Sequence, residues 1–155
     1  MSQRQFSFTV VSPDKVLYKD SPALAVGAVG VAGEFTALPG HMPFLTSLAP
    51  GTAWYRTLED EVKEIFVEGG FVEVLPDRVT ILAEAAYQLE EIDEEKDAAE
   101  TRKLEDYLKN AKIDRKESAG TPGYQESLKE IQELELQIRK NLARMKFKKE
   151  RKRKI

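Results

Sequence analysis

Phe66-Val67-Glu68-Gly69-Gly70-Phe71-Val72-Glu73-Val74-Leu75-Pro76-Asp77-Arg78-Val79-Thr80-Ile81-Leu82-Ala83-Glu84 is the stretch that decides the fold of the first half of this chain. A glycine pair opens it, and Phe71–Leu75 and Arg78–Ala83 read as strands. Between them Pro76-Asp77 makes a turn, because proline fixes φ and removes a backbone donor.

The pattern extends outward on both sides. Gln5–Val11 alternates Phe6, Phe8 and Val10 against Ser7, Thr9 and Val11. Pro13-Asp14 starts a turn, followed by a short strand at Val16–Tyr18. Ala23–Val31 is built of Ala, Val and Gly, which suits a strand packed closely on another layer. Gly33–Leu38, Phe44–Leu48, Thr52–Tyr55 and Val62–Val67 complete the set, with a turn at Pro50-Gly51. Many short strands separated by Gly and Pro predict a sandwich or flattened barrel. Gly27, Gly30 and Gly33 recur every third residue, but no Lys-Ser/Thr follows and no helix begins there. They read as strand glycines that allow close backbone approach, and a phosphate loop is rejected.

Past Glu84–Ile92 the period changes. Asp93 is placed to cap a helix whose first turn holds Glu94, Glu95 and Asp97, where the dipole favours negative charge. Leu104, Leu108 and Ala111 recur at helical spacing beside Tyr107. Ser118-Ala119-Gly120-Thr121-Pro122-Gly123 breaks the helix. A second helix, from about Tyr124 to beyond Phe147, carries Leu128, Ile131, Leu134, Ile138, Leu142 and Met145 on one stripe. At about 1.5 Å per residue it reaches on the order of 35 Å. Each stripe is too narrow to be stable alone, so the pair is expected as an antiparallel hairpin. The expected organisation is therefore α+β in two domains: a β-sandwich over residues 1–87, then an α-helical hairpin over residues 88–155.

Composition narrows the function. The 155 residues include no cysteine, which excludes disulfides and thiolate metal sites. No apolar run has the length of a membrane span, and Met1-Ser2-Gln3-Arg4-Gln5 lacks the apolar core of a signal peptide, so an intracellular chain is expected. The net charge of −3 hides an asymmetry. Glu84–Asp106 holds ten acidic and three basic residues, net −7, while Arg139–Lys154 holds ten basic and one acidic, net +9. His41 has no second histidine or cysteine beside it, and no Ser/His/Asp spacing suggests a triad. Its plainest reading is a surface residue that stabilises its own loop.

That loop lies in Gly33-Glu34-Phe35-Thr36-Ala37-Leu38-Pro39-Gly40-His41-Met42-Pro43, where Pro39–Pro43 must have a fixed shape. The segment resembles the Gly-Glu-Leu/Phe-x-x-x-Pro-Gly-His-x-Pro motif of the epsilon subunits of F-type ATP synthases. The Phe66–Glu84 block resembles the same family's Gly-Gly pair, alternating strand, Pro turn and Val-Thr-Val/Ile-Leu-Ala. The likeness is close from Phe6 to about Asp97 and continues afterwards only in character. It implies a ten-stranded sandwich and a non-catalytic rotor subunit of the central stalk of a proton-translocating synthase. The implied partners are the gamma subunit and the c-ring, with Glu34 and His41 in contact roles. The implied place is the cytoplasmic face of a bacterial inner membrane, peripheral, touching the membrane only through the complex.

For the hairpin the resemblance implies inhibition of ATP hydrolysis in an extended state. A basic face of Arg139, Lys140, Arg144, Lys146, Lys148 and Lys149 would then meet an acidic loop of the beta subunit. Some members bind ATP as a regulatory ligand through Ile/Leu-Asp-x-x-Arg-Ala and second-helix arginines. Here Ile92 and Asp93 match, Lys96 and Asp97 depart, and Lys140 and Arg144 are the second-helix candidates. Lysine lacks the planar fork of arginine, and Asp97 would repel a polyphosphate. The expectation is therefore no cofactor and no metal. The tail Arg144–Lys154 is read as solvated and disordered by default, as a phosphate binder, or as a dock for an acidic surface. The alternative function is a stand-alone nucleic-acid-binding module using this tail, whereas the family reading involves no nucleic acid.

Overall fold

The structure, a computed structural model, describes residues 4–117 and 119–153. Met1, Ser2, Gln3, Ser118 and Lys154, which enter the readings above, lie outside the described residues. The chain divides into two compact units, Met1–Ile92 and Asp93–Ile155.

The first unit consists of β1 (Phe6–Val11), β2 (Val16–Ala23), β3 (Ala25–Gly30), β4 (Gly33–Ala37), β5 (Phe44–Leu48), β6 (Gly51–Arg56), β7 (Val62–Val67), β8 (Gly70–Leu75), β9 (Arg78–Ala83) and β10 (Ala86–Tyr87). They hydrogen-bond in the order β10-β7-β6-β3-β5-β8-β9-β1-β2, with β4 on β3. β3 joins the two halves of this path. Its Ala25–Gly27 segment pairs with Arg56–Trp54 of β6, and Gly30 pairs with Leu48 of β5. β1 runs parallel to β9, and the other pairings are antiparallel. The sandwich expected from the pattern is present, with the ten strands that the family resemblance implies.

Alternation explains how it packs. Phe6, Phe8 and Val10 point into the core with Val72, Val74, Val79 and Ile81. Phe8, Tyr18 and Tyr55 form an aromatic cluster with centroids 4.9–6.0 Å apart, distances at which offset and edge contacts add to burial.

Two strands differ from expectation. β2 does not stop at Tyr18 but continues through Lys19-Asp20-Ser21-Pro22 to Ala23. The register against β1 slips between Phe8 and Val10. Asp20 takes φ 48° at the slip, and its amide donates to Thr9 Oγ1 at 3.1 Å. β2 is an edge strand, so polar residues, a bulge and a proline are tolerated and discourage pairing with another chain. β10 has two residues, too few for any periodicity to reveal.

The glycines divide. At Gly30 the expected backbone approach is present, since a Cβ there would lie 3.1 Å from the carbonyl oxygen of Gly33. At Gly27 it is a side chain that comes close, 2.3 Å away in the indole of Trp54, and at Gly33 nothing lies within 4 Å. The tightest backbone approach is at Gly70, where φ is +123° and a Cβ would fall 2.0 Å from the carbonyl oxygen of Leu82.

The second unit is α1 (Glu94–Glu117) and α2 (Tyr124–Lys152). Asp93 caps α1 as expected: its Oδ1 accepts from the amides of Glu95 and Lys96, each at 3.1 Å. Ion pairs Lys112–Glu135 at 2.9 Å and Glu94–Lys152 at 2.8 Å establish the antiparallel hairpin. α2 has 29 residues, which at about 1.5 Å per residue makes it about 43 Å long, longer than the sequence estimate. The stripe on α2 holds through Ile131, Leu134 and Ile138. It then departs from expectation, because Leu142 is 49% exposed and Asn141 is fully buried.

Candidate functional site

The eleven residues Gly33–Pro43 divide into strand and loop much as the pattern reads. Gly33–Ala37 is strand β4, whose Glu34 pairs with Val29 of β3, so the shaped segment is Leu38–Pro43. Gly40, with φ +87°, donates its amide to the carbonyl of Pro76 at 2.8 Å. The His41 amide donates to Leu38 O at 2.9 Å. These bonds tie the loop to the β8–β9 turn and rigidify it without a metal or ligand. The His41 ring lies 6.3 Å from Phe44, and its Nδ1 is 2.6 Å from the carbonyl oxygen of Met42. Glu34 is exposed on β4 and His41 is half-buried in the loop that follows that strand. Leu38, Met42 and Phe44 are exposed around this loop, Met42 by 73%.

A second surface went unnoticed in the sequence. Directly opposed residues on neighbouring strands share a face, and Phe71 opposes Leu82, Leu82 opposes Val11, and Val11 opposes Val16. These form an apolar row across β8, β9, β1 and β2. Phe71, Leu82 and Val16 are each more than half exposed. A contiguous apolar row on the solvent face of a sheet is a candidate interaction surface. The alternation in each strand carried the signal, but only the register between strands lines the four residues up.

At the end of the first unit, Lys15 Nζ meets Glu91 Oε1 at 2.5 Å. Glu91 also accepts from the Gln88 amide at 2.7 Å, closing a capping box around the single turn Leu89–Glu91. The Lys15 hydrogen bond, then the Gln88 amide, hold the Glu91 carboxyl below its ordinary range. This fastening ends at Glu91, two residues before the second unit begins at Asp93.

In the hairpin the structure separates the residues that the sequence grouped. Ile92 is buried, Asp93 is occupied with capping, and Lys96 is exposed. Arg144 is buried, and it grips Asp97 with both arms of its guanidinium: Nε to Oδ2 at 2.9 Å and Nη2 to Oδ1 at 2.8 Å. In this conformation Arg144 is therefore not on an outward basic face. Arg139, Lys146 and Lys149 are exposed, while Lys140 and Lys148 are half-buried. The tail is helical as far as Lys152, so the default reading of a disordered tail does not hold over the described residues. Phe147, the one aromatic in it, is buried and has Arg151 over its ring at 4.4 Å. Asp97 was not recognised as a structural residue. Extending the spacing Leu104, Leu108, Ala111 backwards reaches Thr101 and Asp97, and that phase was the available signal. Among the described residues no group of three or more His, Cys, Asp or Glu is arranged to hold a metal ion, and no helix is long and apolar enough to cross a membrane.

Comparison with known proteins matches residues 5–89 to the family described as ATP synthase, Delta/Epsilon chain, beta-sandwich domain. The chain is 44% identical over 101 residues to the ATP synthase epsilon chain of Desulfosudis oleivorans, covering 65% of this chain and 75% of that one. It is 35% identical over 123 residues to the ATP synthase epsilon chain of Psychrobacter cryohalolentis, covering 79% and 88%, a span that runs into the hairpin. Among solved structures, a chain of the Euglena gracilis mitochondrial ATP synthase, OSCP/F1/c-ring in rotational state 1, superimposes with a TM-score of 0.63 at 23% identity. That match covers 90% of this chain and 79% of the other, and it is a likeness of fold.

Proposed function

We propose, from the premise that this chain belongs to the delta/epsilon-chain family of ATP synthase subunits, that it is a non-catalytic rotor subunit of the central stalk of a proton-translocating F-type synthase. The observation that carries this reading is the family's sandwich displaying two separate surfaces on one rigid body. The apolar row Phe71, Leu82, Val11 and Val16 is the seat for the gamma subunit. The loop Leu38–Pro43, with His41 and the neighbouring Glu34, is the contact to the polar loops of the c-ring. A part that transmits torque must not shear, and a loop tied by backbone bonds to a second turn meets that demand. Nothing in this role calls for chemistry by the subunit itself. Its place is peripheral, on the cytoplasmic face of a bacterial inner membrane.

The hairpin is the regulatory part. Extended, its basic face of Arg139, Lys140, Arg144, Lys146, Lys148 and Lys149 meets the acidic loop of the beta subunit and hinders ATP hydrolysis. Two states within a few kcal/mol are needed for such a switch, and a seam with narrow stripes and polar positions suits it. ATP control through Ile92, Asp93, Lys96, Lys140 and Arg144 is not favoured, because Asp97 already engages the buried arginine. The nucleic-acid reading loses its aromatic, since Phe147 is buried and offers no stacking face.

Two experiments test the proposal. Tagged full-length chain recovered from its native membranes should bring down gamma, alpha, beta and c subunits; recovery of nucleic acid or ribosomal proteins alone would sink it. Removing the residues after Ile113 should raise ATP hydrolysis by the assembled complex and leave assembly intact. Unchanged hydrolysis would remove the inhibitory role.

A further inference from the structure

The seam between the two helices changes chemistry along its length. Its middle is apolar, with Leu104, Leu108 and Ala111 on α1 and Ile131, Leu134 and Ile138 on α2, and next to the turn Arg115 donates to the Tyr124 hydroxyl at 3.0 Å. Toward the open end, the same helical phase carries Asp97 and Thr101 on α1 and Asn141 on α2, with exposures of 6%, 4% and 0%, beside the buried Phe147. Arg144, besides its two bonds to Asp97, donates from Nη2 to Asn141 Oδ1 at 2.9 Å. Gln137 Nε2 donates to the same oxygen at 3.1 Å. The amide nitrogen of Asn141 is buried with no hydrogen-bond partner, as is Glu94 Oε1, whose other oxygen holds Lys152.

These groups differ from apolar packing in what they favour. A buried ion pair adds little over well-packed apolar residues of the same volume, yet losing one partner is strongly unfavourable. It therefore selects one register more than it binds the helices together. The unpartnered Asn141 nitrogen and Glu94 oxygen gain water when this end opens. The apolar middle has no such gain and loses buried surface, a loss that, among the described residues, the open end meets at Phe147 alone of its large apolar side chains.

The geometry points to a directional latch: the hairpin opens from the Asp97–Arg144 end while the turn end stays paired, and Asp97 is an internal counter-ion that keeps Arg144 out of solvent until it does. Opening exposes Arg144 on the side of α2 that also carries Lys140, Lys148 and Arg151, opposite the exposed Arg139, Lys146 and Lys149. The latch is a property of the free chain, and its regulatory meaning rests on the function proposed above.

Hydrogen–deuterium exchange on the isolated full-length chain tests the latch, with sandwich amides as internal reference. Asp97→Asn should speed exchange of the amides at 98–104 and 137–147 by about tenfold or more, and those at 107–113 and 128–134 by less than about threefold. The double variant Asp97→Leu/Arg144→Met, which keeps the branching at 97 and an unbranched chain at 144 and removes both charges, should exchange more slowly than the parent at the same open end. Uniform acceleration along both helices, or none, overturns the latch. So does a double variant that exchanges as fast as Asp97→Asn, since the pair would then hold the helices together by its own attraction rather than select a register. Hydrolysis by the reassembled complex separates the two ideas. Shifted exchange with unchanged hydrolysis keeps the latch and removes its regulatory use, while a hydrolysis effect of truncation without the exchange pattern does the reverse.

Discussion

The sandwich and the hairpin solve the same problem, burying enough apolar surface to hold a shape, with different means. In the sandwich, large side chains such as Phe8, Phe66, Ile65 and Ile81 are fully buried, and every strand has hydrogen-bonded neighbours. In the hairpin, the fully buried large side chain is Asn141, and a charged pair occupies the seam. The lesson is that rigidity and readiness to rearrange were assigned to different parts of one chain. A core of apolar side chains has no alternative partner in water, whereas Asp97, Asn141 and Arg144 do.

The strongest way to break the comparison is at Gly70. Gly70→Val places a side chain on the Leu82 carbonyl at a positive φ and should destabilise the sandwich by roughly 4 kcal/mol or more, measured by denaturant unfolding. A paired substitution sharpens it. Phe8→Ala should cost about 3–5 kcal/mol, while Leu104→Ala, half-buried in the hairpin seam, should cost about 1–2 kcal/mol. Equal losses would mean that the two units unfold as one. Smaller still, Asp93→Ala removes the N-cap of α1 and should cost about 1 kcal/mol, lowering helicity by circular dichroism and leaving the sandwich transition in place.

The smallest effect concerns Glu91. Its carboxyl is held low by Lys15, so its contribution is fully present above the ordinary glutamate value of about 4.3 and fades as pH falls through the lowered one. Amide exchange at Gln88 should therefore quicken in acid. Glu91→Gln should show fast exchange at neutral pH and lose this dependence. Because the pair is partly exposed, the effect is modest and weakens with salt.

Most of the sandwich was legible because alternation has a period of two and the turns contain Pro or Gly. Phe6, Phe8 and Val10 read as inward residues and are. β10 was illegible because two residues carry no period, and the far half of β2 because an edge strand with a bulge need not alternate. The cap at Asp93 was legible, since capping depends on residues within three positions. The apolar row on the outer face was not, because Phe71, Leu82, Val11 and Val16 meet only through three cross-strand registers. Nor was the Asp97–Arg144 pair: 47 residues separate them, and charge counting assigned the arginine to solvent.

Local chemistry alone thus settled the β half, the helical half, the shaped loop at Pro39–Pro43 and the absence of cysteine chemistry, since each depends on neighbours in the chain. Which charges face water, which glycine is obligatory, and which exposed apolar residues form one surface were settled by packing. Burial and register are properties of pairs distant in sequence, and only the folded chain brings those pairs together.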